Sequence, residues 1–183
     1  MKTMIQRKYV SLVLEGNTFH IEKKPGFENP QRDDRYKRQR DILKVFSEKI
    51  FDHTKGLYLD KLYSQVAIGE MDSSLCIAVT NAELHGNLFT PDKVTTVTYS
   101  VFGSPRNTLL EFTVTDQGEG FDHAHLRRAE MLARGTTQGY NCFRSLNNSE
   151  SLGYGCFEII RGSDYVYWND KGNKITFGKQ LRR

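Results

Sequence analysis

Two long runs of alternating apolar and polar residues, 93–102 and 108–115, constrain the fold of this chain more than any other feature. Successive side chains of a strand point to opposite faces, so each run has one apolar face. The apolar positions are Val97, Tyr99 and Val101 in the first run and Leu110, Phe112 and Val114 in the second. Because residues 103–107 have the composition of a turn, the two runs predict a long hairpin with one face covered by another layer.

Helical patterns elsewhere supply candidates for the covering layer. Residues 70–86 predict a helix, and residues 31–52 predict another. The apolar stripes of these helices are Leu75, Ala78, Val79 and Ala82 in the first, and Tyr36, Leu43, Phe46 and Ile50 in the second. A third helix is expected from Gly153 to Gly162, followed by strands at 164–169 and 173–178. The pattern predicts an α/β sandwich of the α+β type, with a mixed, mainly antiparallel sheet covered by helices on one face.

The N-terminal segment is expected to form a separate hairpin. Residues 5–14 and 17–24 are runs of apolar and polar residues that meet at the turn Glu15-Gly16-Asn17, and prolines and a glycine interrupt the pattern after residue 24. We therefore divide the chain into an N-terminal β-hairpin extension, 1–30, and a main domain, 31–183. Within that domain residues 123–134 predict a helix, and residues 135–152 are rich in Gly, Thr, Asn and Ser, which favours a loop.

Composition narrows the functional classes. The chain has 183 residues, 38% of them hydrophobic and 26% charged, with a net charge of +4. No apolar run reaches the roughly 20 residues of a membrane helix, and no signal-peptide core is present, so we expect a cytoplasmic protein. The densest basic stretch, Arg32 to Lys44, also carries three aspartates and follows a helical pattern. It predicts a solvated helix face, and no direct nucleic-acid contact is expected.

The segment Asp116-Gln117-Gly118-Glu119-Gly120 follows directly on the second alternating run. Asp116 has the parity of the apolar positions and is expected to point towards the covered face. A buried carboxylate needs a hydrogen-bond donor, and the exocyclic amine of adenine is one candidate. Gly118 and Gly120 would allow a sharp bend and a close approach of a ligand. Taken alone, the segment is equally compatible with a simple turn.

Two further segments carry candidate chemistry. Asn81 and His85 share a helix face. A short amide such as that of Asn81 can hold a phosphate-bound Mg²⁺ through its oxygen. A lone Asn in a helix more often packs or caps, however, and a lone His more often has a structural role. Gly153, Tyr154 and Gly155 open an apolar helix, whose free N–H groups at the N-terminus favour phosphate.

Together the three segments resemble the Bergerat-fold (GHKL) ATPase superfamily of gyrase, heat-shock chaperones and histidine kinases. The resemblance is closest to bacterial anti-sigma factor serine/threonine kinases. It covers roughly residues 31–183, where residues 78–87 look like the N-box, 116–122 like the Asp-x-Gly-x-Gly box and 153–160 like the second glycine box.

The resemblance implies a site for ATP and Mg²⁺. In it Asn81 would hold Mg²⁺, and Asp116 would read the adenine amine between Gly118 and Gly120. Gly153, Tyr154 and Gly155 would lie at the phosphates, with His85 nearby and residues 135–152 as the ATP lid. Proteins of this kind are typically homodimers that bind a sigma factor and phosphorylate an antagonist protein.

One departure from the family pattern bears on catalysis. The position one helical turn before Asn81, which carries the general-base Glu in these kinases, is Ile77 in this chain. Glu83 lies two residues after Asn81 and is expected to point to a different helix face. We therefore expect an ATP-binding regulatory protein that captures a sigma factor or its antagonist, with weak or absent phosphoryl transfer. An active protein-serine kinase that finds a base elsewhere, on the substrate or at His85, is the alternative, since phosphoryl transfer depends largely on positioning and charge stabilisation. A scaffold that no longer binds nucleotide is a third.

Overall fold

The computed structural model describes residues 2–6, 11–22, 32–54, 73–90, 92–104, 107–123 and 154–182. Across these residues the chain forms seven strands and three helices, which makes it an α+β protein. The strands are β1 (Lys2–Gln6), β2 (Ser11–Glu15), β3 (Thr18–Glu22), β4 (Thr95–Ser104), β5 (Asn107–Thr115), β6 (Tyr165–Trp168) and β7 (Lys174–Arg182). The helices are α1 (Arg32–Thr54), α2 (73–81), which continues into a π-helical turn (Ala82–Gly86), and α3 (Tyr154–Gly162).

The seven strands form one sheet in the order β1-β2-β3-β4-β5-β7-β6. All six pairings between these described strands are antiparallel, whereas the sequence led us to expect a mixed sheet. The N-terminal hairpin adds its strands beside β4, so it is continuous with the sheet of the main domain. At the other side β7 lies between β5 and β6.

One face of the sheet carries the hydrophobic core. A single row crosses five strands on this face: Phe19, Val97, Val114, Ile175 and Trp168. All five side chains are buried, and they belong to one cluster with apolar residues of α1, α2 and α3. The ring of Phe46 from α1 meets Phe19 edge to face, with the ring centroids 4.3 Å apart. The helices therefore pack on this face of the sheet.

Most of the predicted elements are confirmed. The long hairpin is formed by β4 and β5, and the predicted stripe of α2 is buried at all four positions: Leu75, Ala78, Val79 and Ala82. The turn at Gly16 joins β2 to β3, and Gly16 has the positive φ of 60° that glycine adopts readily. The predicted helix 123–134 beyond residue 123, the predicted loop 135–152 and Gly153 lie outside the described residues.

Two predictions about the N-terminal part hold only in part. Residues 5–14 are not one strand, because Gln6 pairs with Ser11 and the chain reverses between them. Three consecutive polar residues, Gln6-Arg7-Lys8, interrupt the alternation at this point, and this was the local signal for the reversal. In α1 the buried apolar side chains are Ile42, Val45 and Phe46, and Leu43 is only partly buried. Phe46 of the predicted stripe is buried as expected, Ile42 and Val45 are buried in addition to it, and the side chains of Tyr36 and Ile50 lie outside the described residues.

The basic stretch of α1 also differs from expectation. Arg38 is 2% exposed, although the sequence predicted a solvated face there. Its guanidinium donates to both carboxylate oxygens of Glu83 in the π-helical turn and to the carbonyl of Glu22 at the end of β3. A buried guanidinium needs hydrogen-bond acceptors of this kind. Counting the charges along one stretch of sequence does not reveal them, because the acceptors lie far away in the chain. None of the described helices has the length and apolar character that crossing a membrane requires.

Candidate functional site

A cavity of about 760 Å³ lies between α2, α3 and the end of the sheet where β5 stops. Its walls come from four parts of the chain that are distant in sequence. They are Ala78, Asn81, Ala82, His85 and Gly86 of α2 and its π-helical turn, Val114, Asp116, Gly120, Phe121 and Asp122 at the end of β5 and in the loop after it, Gly155, Cys156 and Ile159 of α3, and Trp168, Gly172, Asn173, Lys174 and Ile175 of β6, β7 and the turn between them. This volume is typical of small-molecule sites, which span about 300–1,000 Å³.

Asp116 provides a carboxylate of the cavity at the end of β5. Its backbone N–H donates to the carbonyl of Asn173, 3.0 Å away, which fixes it beside β7. Its Oδ1 accepts the N–H of Gly118 at 2.8 Å. Burial raises the pKa of Asp116, while the Gly118 N–H and the positive charges of Lys171 and Lys93 act in the opposite direction. A partly desolvated carboxylate in the wall of a cavity is suited to accept a ligand N–H.

Gly86 makes the close packing around Asp116 possible. A Cβ at Gly86 would come within 2.2 Å of Asp116 Cγ, and a Cβ at Gly118 would come within 2.2 Å of the Gly86 carbonyl oxygen. Neither distance is compatible with a real side chain, so glycine is required at both positions. The π-helical turn is held in place by Asn87, whose Oδ1 accepts the N–H of Gln117 at 2.8 Å.

A second pair of close backbone contacts holds the loop after β5. A Cβ at Gly120 would come within 1.9 Å of the Lys171 carbonyl oxygen, and a Cβ at Gly172 would come within 2.1 Å of the Phe121 carbonyl oxygen. Both glycines have positive φ, 79° and 77°, where other residues are strained. The loop and the β6–β7 turn therefore lie against each other, and this contact fixes Phe121 at the cavity wall.

The beginning of α3 meets α2 at Asn81. A Cβ at Gly155 would be 3.0 Å from Asn81 Nδ2 and 3.0 Å from Ile77 Cγ2. The glycine thus leaves room beside the amide of Asn81, which makes no capping hydrogen bond to its own helix. The residues fit a Mg²⁺ bound through phosphate, because one amide oxygen can supply a ligand while phosphates and water supply the rest. The described residues contain no group of three His, Cys, Asp or Glu side chains placed to hold a metal by themselves.

The structure brings together five of the residues singled out from the sequence: Asn81, His85, Asp116, Gly120 and Gly155 all line the cavity. Gly118 packs behind Asp116 instead of lining the cavity, and Ile77 packs partly buried at the edge of the core. Gly153 and the side chain of Tyr154 are outside the description. Glu83 faces away from the cavity towards Arg38, as the helix geometry predicted.

Several cavity residues were missed in the sequence, notably Trp168, Phe121, Cys156 and Lys174. Trp168 has the same parity as the buried Val166 in β6, which is the one local signal that it faces inward. Burial raises the pKa of the Cys156 thiol to about 11, so it forms a neutral part of the wall. Lys174 of β7 lines the cavity because β7 inserts between β5 and β6.

Comparison with protein-family models, with curated proteins and with solved structures finds no match for this chain.

Proposed function

We propose that the chain is an ATP-binding regulatory protein of the anti-sigma factor type, in which the cavity takes an adenine nucleotide with Mg²⁺. The observation that carries the proposal is the half-buried carboxylate of Asp116 in the wall of a cavity of about 760 Å³. The arrangement in which α2, the loop after β5 and α3 surround one cavity is the one that a Bergerat-type site needs.

We assign Asp116 to recognition of the adenine ring. Its Oδ1 already accepts the Gly118 N–H, so the carboxylate is held in one orientation. Oδ2 is the acceptor that we assign to the exocyclic amine of adenine. Gly86 and Gly118 act indirectly, because their missing side chains leave the space that the carboxylate occupies.

The phosphates are assigned to the other end of the cavity, at Gly155 and Asn81. The first N–H groups of α3 have no partner within the helix, and they favour an anion. A magnesium ion, when bound, would neutralise phosphate charge, and the Asn81 side-chain oxygen is the protein ligand assigned to it. His85 and Lys174 line the same cavity and add donors for the nucleotide.

We infer that binding dominates over phosphoryl transfer. Ile77 lies one helical turn before Asn81 and against Gly155, and an aliphatic side chain cannot take a proton from an incoming hydroxyl. We assign a sigma factor or its antagonist as the partner, and a homodimer as the assembly. Both assignments rest on the resemblance of residues 31–183 to anti-sigma factor kinases. The nucleotide would then serve as a structural ligand that stabilises the partner-binding form.

Calorimetry with Mg-ATP tests the binding site. Wild type is expected to bind, and Asp116→Ala should lower the affinity about 10-fold or more, because one hydrogen bond to a charged group contributes about 1.5–3 kcal/mol. Glu119→Gln changes an exposed carboxylate of the same loop and should leave the affinity unchanged. Absence of binding by wild type overturns the proposal.

A second variant separates base recognition from folding. Asp116→Asn keeps an oxygen for the Gly118 N–H but presents an amide donor to the ligand amine. It should lose affinity for ATP while binding ITP better than wild type does, because ITP carries an oxygen in place of the amine. Equal affinities of both proteins for both nucleotides contradict the role of Asp116.

Gel filtration with purified sigma factors, with and without Mg-ATP, tests the partner class.

A further inference from the structure

An aromatic cluster closes the cavity on the side of β6. Trp168 is the only tryptophan of the chain, and its side chain lines the cavity although the residue is 7% exposed. Its ring is stacked on His123, with the planes at 29° and the centroids 6.2 Å apart. Phe121 meets Trp168 edge to face at 6.4 Å and also lines the cavity.

The cluster is held rigidly at this position. Trp168 pairs with Ile175 of β7, so its backbone belongs to the sheet. Phe121 is fixed by the close contact between its carbonyl oxygen and Gly172. Phe121 keeps 37% of its surface exposed. An exposed aromatic face that is held in place at a cavity wall is a ready contact for a flat ring.

Register places this aromatic wall within reach of Asp116. Trp168 lies opposite Ile175, which lies opposite Val114, and Asp116 follows Val114 by two residues. Two strand spacings are about 10 Å across the sheet, and two residues are about 7 Å along it. Both side chains line the same cavity, so one ligand bound in it can contact the indole and the carboxylate together.

We propose that Trp168 and Phe121 form the surface against which the purine ring of the nucleotide packs, which makes them specificity-determining residues. This inference rests on the proposed nucleotide function. Asp116 alone does not distinguish adenine from cytosine, because both bases present an exocyclic amine. The larger purine ring covers more of the aromatic wall, so the wall favours ATP over CTP.

Fluorescence of Trp168 in the wild type is the first test. Mg-ATP and adenosine should change the emission of this single indole, with a midpoint that matches the calorimetric affinity. Magnesium tripolyphosphate, which has phosphates but no base, should leave the emission unchanged. Unchanged emission at Mg-ATP concentrations that saturate the protein by calorimetry overturns the inference and leaves the nucleotide proposal standing. Absence of calorimetric binding overturns both.

Substitution supplies the second test, measured by calorimetry with a melting curve for each protein. Trp168→Leu should lower Mg-ATP affinity at least about 5-fold, since stacking of a base on an aromatic ring contributes about 1–3 kcal/mol. The loss for Mg-CTP should be smaller, and Trp168→Phe should restore most of the preference for ATP. Tyr167→Leu, on the opposite face of the same strand and 56% exposed, is the matched control and should bind as wild type does. Equal losses for both nucleotides, with no rescue by Trp168→Phe, contradict the assignment.

Discussion

The carboxylate of Asp116 lies against the α-carbon of Gly86, so close that a Cβ on Gly86 would come within 2.2 Å of Asp116 Cγ. The contact joins the π-helical turn after α2 to the end of β5, which are separated by 30 residues of chain. It also fixes the position of the one carboxylate that we assign to the base. Three predictions about stability, one about nucleotide binding and one about turnover test the geometry around this contact and around α2.

Gly86→Ala is expected to disturb both stability and binding. The added methyl group must displace the Asp116 carboxylate, and such overpacking costs about 1–3 kcal/mol of unfolding free energy. Mg-ATP affinity should fall with it. Asp116→Ala removes the clashing atoms, so Gly86→Ala should be much less harmful in that background. Urea unfolding of the four proteins in the cycle measures a coupling of about 0.5–3 kcal/mol, and additive effects of the two changes contradict the contact.

The stability contributed by Asp116 should depend on pH in a defined direction. Burial raises its pKa above the ordinary 3.8, so the folded state holds this proton more tightly than the unfolded state. The protonated carboxyl therefore favours folding, and this contribution is lost as the pH rises from 3.8 through the raised value. Asp116→Asn is neutral throughout. Its stability relative to wild type should increase with pH across that window, as urea unfolding can measure.

Binding of Mg-ATP should have the opposite pH dependence. The amine is assigned to Oδ2, and a proton on that oxygen would turn it from an acceptor into a donor, so affinity should fall as the pH decreases through the raised pKa of Asp116. Calorimetry across the acidic range measures the fall. The Asp116→Asn variant lacks this titration, and a pH dependence identical to that of wild type would assign the effect to another group.

Breaking the buried pair of Arg38 and Glu83 should be strongly destabilising. Both residues are at most 9% exposed, and Glu83→Gln removes the negative charge that faces the buried guanidinium. The expected loss is about 3–5 kcal/mol of unfolding free energy. The double variant Arg38→Met/Glu83→Leu removes both charges and should recover much of the loss. Asp34→Asn breaks the exposed pair with Lys37 and should change stability by less than about 1 kcal/mol.

Ile77→Glu tests why transfer is expected to be weak. A carboxylate beside Asn81 and Gly155 can accept a proton and should raise γ-phosphate release, since general bases contribute about 10²–10⁴-fold. Ile77→Gln has nearly the same shape without the base and should gain nothing. Because Ile77 also packs on the core, a melting curve accompanies each assay. Robust turnover by wild type contradicts the binding-only function and favours the serine kinase.

Local patterns in the sequence determined much of the site. Alternation along β5 gave the parity that turns Asp116 towards the helices, and helical spacing put Asn81 and His85 on the face that lines the cavity. The same spacing turned Glu83 away from it. These inferences succeed because the period of a strand or helix fixes side-chain direction from a few neighbouring residues.

The tertiary structure determined which strands pair in the sheet and which side chains meet. The insertion of β7 between β5 and β6, the addition of the N-terminal strands beside β4 and the burial of Arg38 opposite Glu83 all join residues distant in sequence. No local period encodes such contacts, since they depend on which apolar faces and charges meet when the layers pack. Gly86 against Asp116, and Trp168 at the wall of the same cavity, became visible only when the packed layers brought them together.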